Sequence, residues 1–428
     1  MSKEIELEHI AKIEGHANLY VKVKGKRVEV VELRVVEGAR YFEGILIGRK
    51  AEEAHYISSR ICGVCSQSHI IGALRAIEKA LGIKVSKQTE ALRELLLIGN
   101  IIESHLLHLY FLALPDYYGV SSALEFTEHD KDLLRTALKL KIGFNRIERV
   151  IGGREIHAVK AIVGGFTKFP SQSELDQLVA ELKKLKPLVV STVKLFGSLK
   201  APEFERKCEH LALSRSSNSI FFDDKLTAML NNKEFNIKDY HRKINEYVEK
   251  GTTAKEALFL GQSYMTSALS RLNLHYDKLS SEAKQFVKAS RYSFPSFSPF
   301  ANNFAQAIEI FEFYNRALKI LLNLKIKNEK PKQIKLKAGR GVSATEVPRG
   351  VLIHDYTLSA TGKIKACNII TPTSQNLHNI DEDVKLFLPG ILNMNERQIK
   401  LELEKLIRAY DPCISCSTHF LKLKLERQ

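Results

Sequence analysis

The chain has 428 residues, 44% hydrophobic and 27% charged, with no tryptophan and a formal net charge of +16. That length and composition exclude a disordered chain and a small module folded by its metal, and leave room for a large buried core in roughly two or three domains by length alone. The basic balance admits an acidic partner, nucleic acid or an anionic surface. The lysines are scattered, as in ELKKLKP (181 to 187) and KIKNEKPKQIKLK (325 to 337), so solvated surface is the first reading and an acidic partner subunit the second.

The opening MSKEIELEHI lacks the apolar stretch of a secretory signal. Apolar runs such as LLLIGNII (95 to 102) fall well short of the roughly 18 residues that argue for a membrane span. Six cysteines in so long a chain make no disulfide framework, and free thiols suit a reducing compartment. The expectation is a soluble cytoplasmic protein with no membrane span and no nucleic-acid partner.

Residues 4 to 36 alternate apolar and charged positions through LYVKVKG and RVEVVELRVV, with Lys24-Gly25-Lys26 at the break, which predicts a hairpin or small meander. IEGH (13 to 16) stands at its first corner. AEEAHYISSR and HIIGALRAIEKAL read as helices on either side of a cysteine pair, which places Cys62 and Cys65 in a loop leading into a helix start. Unpaired amides and the helix dipole favour thiolates there.

Residues 90 to 113 predict one apolar helix of about 35 Å, buried nearly all round and ended by Pro115-Asp116. His105 and His108 share one of its faces, and a packing role is the plainer reading than a metal pair. Helical patterning resumes at 130 to 151, 174 to 196, 253 to 274, 280 to 291 and 301 to 324. Residues 152 to 170 predict an ordered glycine-bearing loop, and 200 to 250 carry no clear period, with Cys208 a buried or incidental thiol. A second strand-rich patch is expected at 335 to 371, with Cys367 packed in a strand, and a last helix at 395 to 410. The fold class is mainly α with two small β patches, in one integrated domain over 1 to 419.

Two stretches carry the chemistry: RICGVCSQSH (60 to 69) and DPCISCSTH (411 to 419). Each has a Cys-x-x-Cys pair and a following histidine. Thiolates are soft donors suited to zinc, nickel, copper or iron rather than magnesium or calcium. A structural zinc site normally spaces its pairs by roughly 15 to 20 residues. Here nearly the whole chain lies between them, which favours a catalytic metal over structural zinc, with thiol redox chemistry a further alternative.

These residues give the chain a resemblance to the large, catalytic subunit of nickel-iron hydrogenases. The two cysteine motifs look like the family's amino- and carboxy-terminal ones. IEGH, ARYFEG (39 to 44), SHLLHLYFLALPD (104 to 116), GGREIH (152 to 157) and EVPRG (346 to 350) match further family segments in order. Ala158 and Val163 depart from the common form, which has proline there, and Gln375 stands where many relatives have tryptophan, a mark of the cytosolic branch.

The resemblance implies a hydrogenase-like helical bundle that oxidises dihydrogen reversibly at nickel and an iron bearing carbon monoxide and cyanide. Cys62 and Cys413 would be terminal nickel ligands, and Cys65 and Cys416 would bridge the metals. His69 would donate toward a sulfur, Thr373 toward a cyanide, and Glu14 would relay protons from a base, either the Cys413 thiolate or Arg349. Arg349, held by Pro348, would form the canopy of the site with Asp116 and Asp411. Glu43 and His419 would hold a magnesium ion with a backbone carbonyl, and an endopeptidase would remove 420 to 428 after His419. With no further cysteine cluster, an iron-sulfur small subunit is implied, together with flavin-bearing and NAD(P)-binding subunits. Deazaflavin- or heterodisulfide-linked hydrogenases are the near alternatives. A complex I-like subunit, which lacks the cysteine pairs, and a zinc or nucleic-acid-binding protein are the distant ones.

Overall fold

In the computed structural model the amino-terminal alternation forms an antiparallel sheet in the order β1-β2-β3, from β1 (Ser2–Leu7), β2 (Ala17–Lys24) and β3 (Arg27–Val35). Ala17, Leu19, Val21 and Val23 of β2 all point into the core, as a period of two demands. The structure describes residues 2–418 apart from positions 9, 26, 39, 127–129, 216–218 and 250. His419 and the tail after it lie outside the described residues.

Two short helices, α1 (Phe42–Leu46) and α2 (Ala54–Ser58), lead to the first cysteine loop, which runs directly into α3 (Ser66–Leu81). Ser86 caps α4 (Lys87–Leu106) by accepting the Thr89 N–H. The helix then widens into π-helical turns over Leu107–Ala113 and continues as α5 (Leu114–Tyr118). Pro115 therefore does not end it. It sits in the first turn of α5, where a missing N–H costs little, and the stop falls at left-handed Gly119. The resulting 32-residue helix is long and apolar enough to cross a membrane, unlike the shorter runs expected from the sequence, but 78% of its apolar window is buried inside the fold.

After α6 (Lys131–Gly152) the glycine-bearing loop pinches into a hairpin of β4 (Ala161–Ile162) and β5 (Gly165–Phe166). The expected helix over 174 to 196 is two, α7 (Gln172–Lys183) and α8 (Lys186–Ser198), with Pro187 in the first turn of the second. The stretch without clear period holds β6 (Glu209–Leu213), β7 (Phe222–Asp223), β8 (Lys225–Ala228), β9 (Lys233–Asn236) and β10 (Ile244–Tyr247). The helix expected over 253 to 274 is broken by two short strands, β11 (Glu256–Phe259) and β12 (Tyr264–Met265), before α9 (Ala268–His275) begins. β11 pairs with β10, and β12 lies parallel to the distant β6. Pairing of this kind overrides local period.

The chain closes with α10 (Ser281–Ala289), α11 (Ala301–Asn323), β13 (Gly339–Val347), β14 (Gly350–Leu358), β15 (Ile364–Ile370), α12 (Pro372–Ile391), α13 (Glu396–Ala409) and α14 (Ile414–Ser417). Among the described residues the strands make five small sheets rather than two patches, one of them β15-β14-β13-β7. The fold is mainly helical with small sheets, as expected. One hydrophobic cluster includes both Ile5 and Cys416, so the two ends of the chain share a core. Helix α3 lies so close on β13 that a Cβ at Gly341 would stand 2.0 Å from the Ala76 carbonyl oxygen.

Several charges inside this core are paired. Arg271 on α9 bonds Glu309 on α11 through Nε (2.6 Å) and Nη2 (2.7 Å), and reaches Glu346 on β13 at 2.9 Å. His105 meets the same Glu309 carboxylate at 2.9 Å, and His108 bonds Gln306 and the Arg408 carbonyl, so the two histidines pack and do not form a metal pair. Burial pushes the Glu309 carboxyl up, but Arg271 and then His105 outweigh it and hold it at about 2. Its stabilisation is present above the unfolded carboxylate value of about 4.3 and is lost as pH falls through about 2. Glu309→Ala leaves Arg271 buried with Glu346 as its one remaining carboxylate among the described residues, beside the Val347 and Pro348 carbonyls. The expected loss is about 3–5 kcal/mol of stability, read by chemical denaturation near neutral pH.

Candidate metal centre

The four cysteines of the two motifs meet. Cys62 Sγ lies 3.4 Å from Cys413 Sγ, Cys65 Sγ lies 3.3 Å from Cys416 Sγ, and Cys413 and Cys416 stand 3.0 Å apart. All four sulfurs lie within 4.8 Å of one another, and all are buried free thiols. Cys65 occupies the N-cap position of α3 and Cys413 that of α14, so each pair spans a loop entering a helix.

Each loop is fixed by its own bonds. Asn100 on α4 donates to the Val64 carbonyl (2.7 Å) and accepts from Ser68 (2.9 Å). Gln67 bonds the Glu155 carbonyl and the Ala158 N–H. At the other end the Cys413 N–H donates to Thr373 Oγ1 at 3.0 Å, and Thr371 Oγ1 donates to the Cys416 carbonyl at 3.1 Å. Glu14 joins the termini: its carbonyl accepts the Ile414 N–H (2.8 Å), and its Oε2 takes the Ser415 N–H (3.0 Å) and faces Cys413 Sγ at 3.2 Å.

The thiols do not ionise alike. Hydrogen bonds from Cys413, Cys416 and Cys65 hold Cys62 well below the ordinary thiol value, whereas burial pushes Cys413 well above it. Four thiolates in one dry pocket repel one another, and a soft cation resolves that repulsion while deprotonating all four. Arg349 adds a fixed charge beside them: it donates to the Asp411 carbonyl (2.7 Å), Asp411 Oδ1 (2.9 Å) and Ser104 Oγ (3.2 Å). Burial opposes that charge, but Asp411 and the thiols outweigh burial and hold the guanidinium well above its usual value.

A family model for nickel-dependent hydrogenases matches residues 40–136 and 318–419, which include both cysteine pairs. The chain is 39% identical over 423 residues to the alpha chain of sulfhydrogenase 1 from Pyrococcus furiosus, covering 98% of each. The chain belongs to the nickel-dependent hydrogenase family. It is 30% identical to one of the subunits of the F420-non-reducing hydrogenase of Methanothermobacter thermautotrophicus, with 97% of this chain and 94% of that one covered. An NAD+-reducing [NiFe]-hydrogenase in its H2-reduced state shares the fold, with a TM-score of 0.86 at 22% identity over 97% of this chain and 99% of that one. The protein is a nickel-iron hydrogenase large subunit, an oxidoreductase acting on hydrogen, and the donor set of four soft thiols fits nickel and iron.

The other residues singled out in the sequence fall at graded distances from the hydrogenase thiols. His69 Nε2 is 4.0 Å from Cys416 Sγ, while Nδ1 meets His354 at 3.2 Å. Pro348 places its carbonyl against Arg271 Nη2 at 3.3 Å. The Asp116 carboxylate is taken by Arg408 (2.6 Å to Nε) and by Lys12, so it braces the end of α13 rather than meeting the sulfurs. Glu43 does not fit the expected magnesium. Its Oε1 accepts the Ile369 N–H (2.8 Å) and the Lys255 ammonium (2.9 Å), and Lys255 also has Glu246 at 3.1 Å. Magnesium demands near-octahedral oxygen ligands at about 2.0–2.1 Å, and an ammonium on the same carboxylate oxygen repels it.

Sequence reasoning missed Ser104, Asn100, Gln306 and Lys255. Gln306 donates to Asp411 Oδ2 at 3.0 Å. The first three lie inside helical patterns where a polar residue gives no sign of its partner, and Lys255 lies outside the matched segments. Gly15 is constrained as well: its φ is +85°, and a Cβ there would stand 2.7 Å from Ile414 Cβ. Gly15→Ala should push the Cys413 loop outward and lower bound nickel several-fold by elemental analysis.

Proposed function

We propose that Cys62 and Cys413 are the terminal nickel ligands, and that Cys65 and Cys416 bridge nickel to an iron carrying carbon monoxide and cyanide. The observation that carries this reading is the convergence of four sulfurs within 4.8 Å, already paired Cys62 with Cys413 and Cys65 with Cys416. Thr373 accepts the Cys413 N–H, which keeps its own hydroxyl hydrogen for a cyanide nitrogen. When bound, the metal pair supplies an open position at which dihydrogen is polarised and split heterolytically.

Cys413 Sγ holds the released proton and passes it to Glu14 Oε2, 3.2 Å away and within direct reach. Glu14 is half-buried, so the same carboxylate serves thiol and exterior. Arg349 acts as the fixed positive charge of the canopy rather than as the base, because Asp411 and the thiols make its deprotonation costly. Asp411 orients it, and Asp116 steadies the helix end that presents Asp411.

Electrons leave through an iron-sulfur small subunit, then through flavin-bearing and NAD(P)-binding subunits, in a cytoplasmic hetero-oligomer. Two features support a partner. The described residues hold no second cysteine cluster, and Tyr41, Ile45 and Ile47 expose apolar side chains just ahead of the first cysteine loop. NAD(P) is the acceptor this reading favours, with deazaflavin or heterodisulfide linkage the alternative. Residues 1 to 419 act as one domain, and an endopeptidase removes 420 to 428 after His419 once nickel is in place.

Metal analysis with infrared spectroscopy tests the centre: nickel and iron in equal amounts, with bands of bound carbon monoxide and cyanide, are expected, and zinc alone would return the site to a structural one. Cys62→Ser should abolish hydrogen uptake with loss of nickel. Glu14→Gln should slow hydrogen-deuterium exchange by roughly 10²-fold or more while both metals stay bound. Intact mass of the active enzyme should end at His419.

A further inference from the structure

We infer that the Lys255 ammonium is the resident cation of the pocket beneath the carboxy-terminal cysteine loop, where it replaces a divalent metal. Its Nζ bonds Glu43 Oε1 on α1 at 2.9 Å and Asn368 Oδ1 on β15 at 3.0 Å, and Glu246 Oε1 on β10 stands 3.1 Å away. The Lys255 side chain is 8% exposed. Three oxygens from three separate elements thus surround one ammonium, which has three hydrogens to offer.

The oxygens are themselves held in place. Glu43 Oε1 takes the Ile369 N–H at 2.8 Å, and Asn368 Nδ2 donates to Glu246 Oε2 at 2.7 Å and to the Tyr240 hydroxyl at 3.1 Å. A cradle with two carboxylates and an amide oxygen is the donor set a hard cation would use. Here the charge arrives on a tether. Burial works against the ammonium, but Glu246 and Glu43 outweigh it and raise the lysine above its ordinary value.

The same residue holds the cysteine loop through its backbone: the Lys255 N–H donates to the Ser417 carbonyl at 3.0 Å, one residue beyond Cys416. The Arg40 N–H, just ahead of α1, donates to the Thr418 carbonyl at 2.7 Å. Lys255 thus ties α1, β15, β10 and the last described turn into one knot behind the bridging thiol. A free ion stabilises such a knot only in proportion to its concentration, whereas a covalently tethered one does so at any ambient metal level. This inference concerns the clamp on the loop and does not depend on the proton route or the electron acceptor.

The test uses the purified native complex, with nickel and iron measured on every sample so that loss of the catalytic metals is seen separately. After gel filtration in chelator, the wild type should hold no stoichiometric magnesium, manganese or calcium, and its thermal midpoint should not change when magnesium is restored. Lys255→Met removes the charge at similar volume and should lower the midpoint by roughly 5 °C or more. Lys255→Ala empties the cradle, so its midpoint should rise again with millimolar magnesium. Lys255→Arg, which keeps a cation, should stay indifferent to magnesium and secures the test if the other variants fail to fold. One divalent ion per wild-type chain, a wild-type midpoint that falls in chelator while nickel and iron stay bound, or a Lys255→Met midpoint equal to wild type would overturn the inference.

Discussion

Two cysteine pairs 351 positions apart share a pocket because a single residue from the amino terminus bonds to the carboxy-terminal loop at three points. Glu14 presents its carbonyl to Ile414 and its carboxylate to Cys413 and Ser415. The corner at Gly15 has no side chain because Ile414 fills the space one would need. The termini are therefore as much part of the core as the central helices, and the Cys413 thiol faces the Glu14 carboxylate.

Around that junction every buried charge has a partner in reach. Arg349 is bound to Asp411, Asp411 to Gln306, Gln306 to His108, and His108 to the carbonyl of Arg408, whose guanidinium takes Asp116. Each link removes the cost of burying the group before it and leaves the guanidinium beside the sulfurs in one orientation. Chains of this kind add little net stability over a packed apolar core. What they supply is one fixed orientation for the Arg349 guanidinium, whose charge interacts with the neighbouring thiols. The Arg271–Glu309–Glu346 group and the Lys255 knot apply the same principle on other sides of the fold, the first between α9, α11 and β13, the second between the cysteine loop and its surroundings.

Long elements with a regular period were legible from the sequence. The meander over 4 to 36, the helices around α3, α4, α6 and α11, and the strands from Gly339 to Ile370 all appear where apolar spacing puts them. Elements whose partners are remote were not. β12 owes its state to β6, and β7 owes its state to β13, each across a long stretch of chain, and a two-residue strand shows no period at all. Helix α12 also went unread: its buried face mixes Ser374, Gln375, Asn376, Asn379 and Asp383 with apolar residues, because those polar groups are satisfied by tertiary partners. Gln375, for instance, bonds the Val351 carbonyl and the Tyr264 hydroxyl.

The sequence alone singled out the four cysteines, since donor softness and the Cys-x-x-Cys spacing are properties of residue type and local order. It also marked Glu14, Arg349 and Thr373, through the motifs in which they stand. Tertiary structure alone decided how far each acts from the sulfurs: Glu14 and Thr373 bond the Cys413 loop directly, Arg349 is fixed beside it by Asp411, and Asp116 acts only through Arg408. It decided as well that the carboxylate of Glu43 meets an ammonium, because Lys255 comes from a hairpin more than 200 positions away. A side chain's partner across such a separation is set by how the chain packs, and packing leaves no trace in the neighbouring letters.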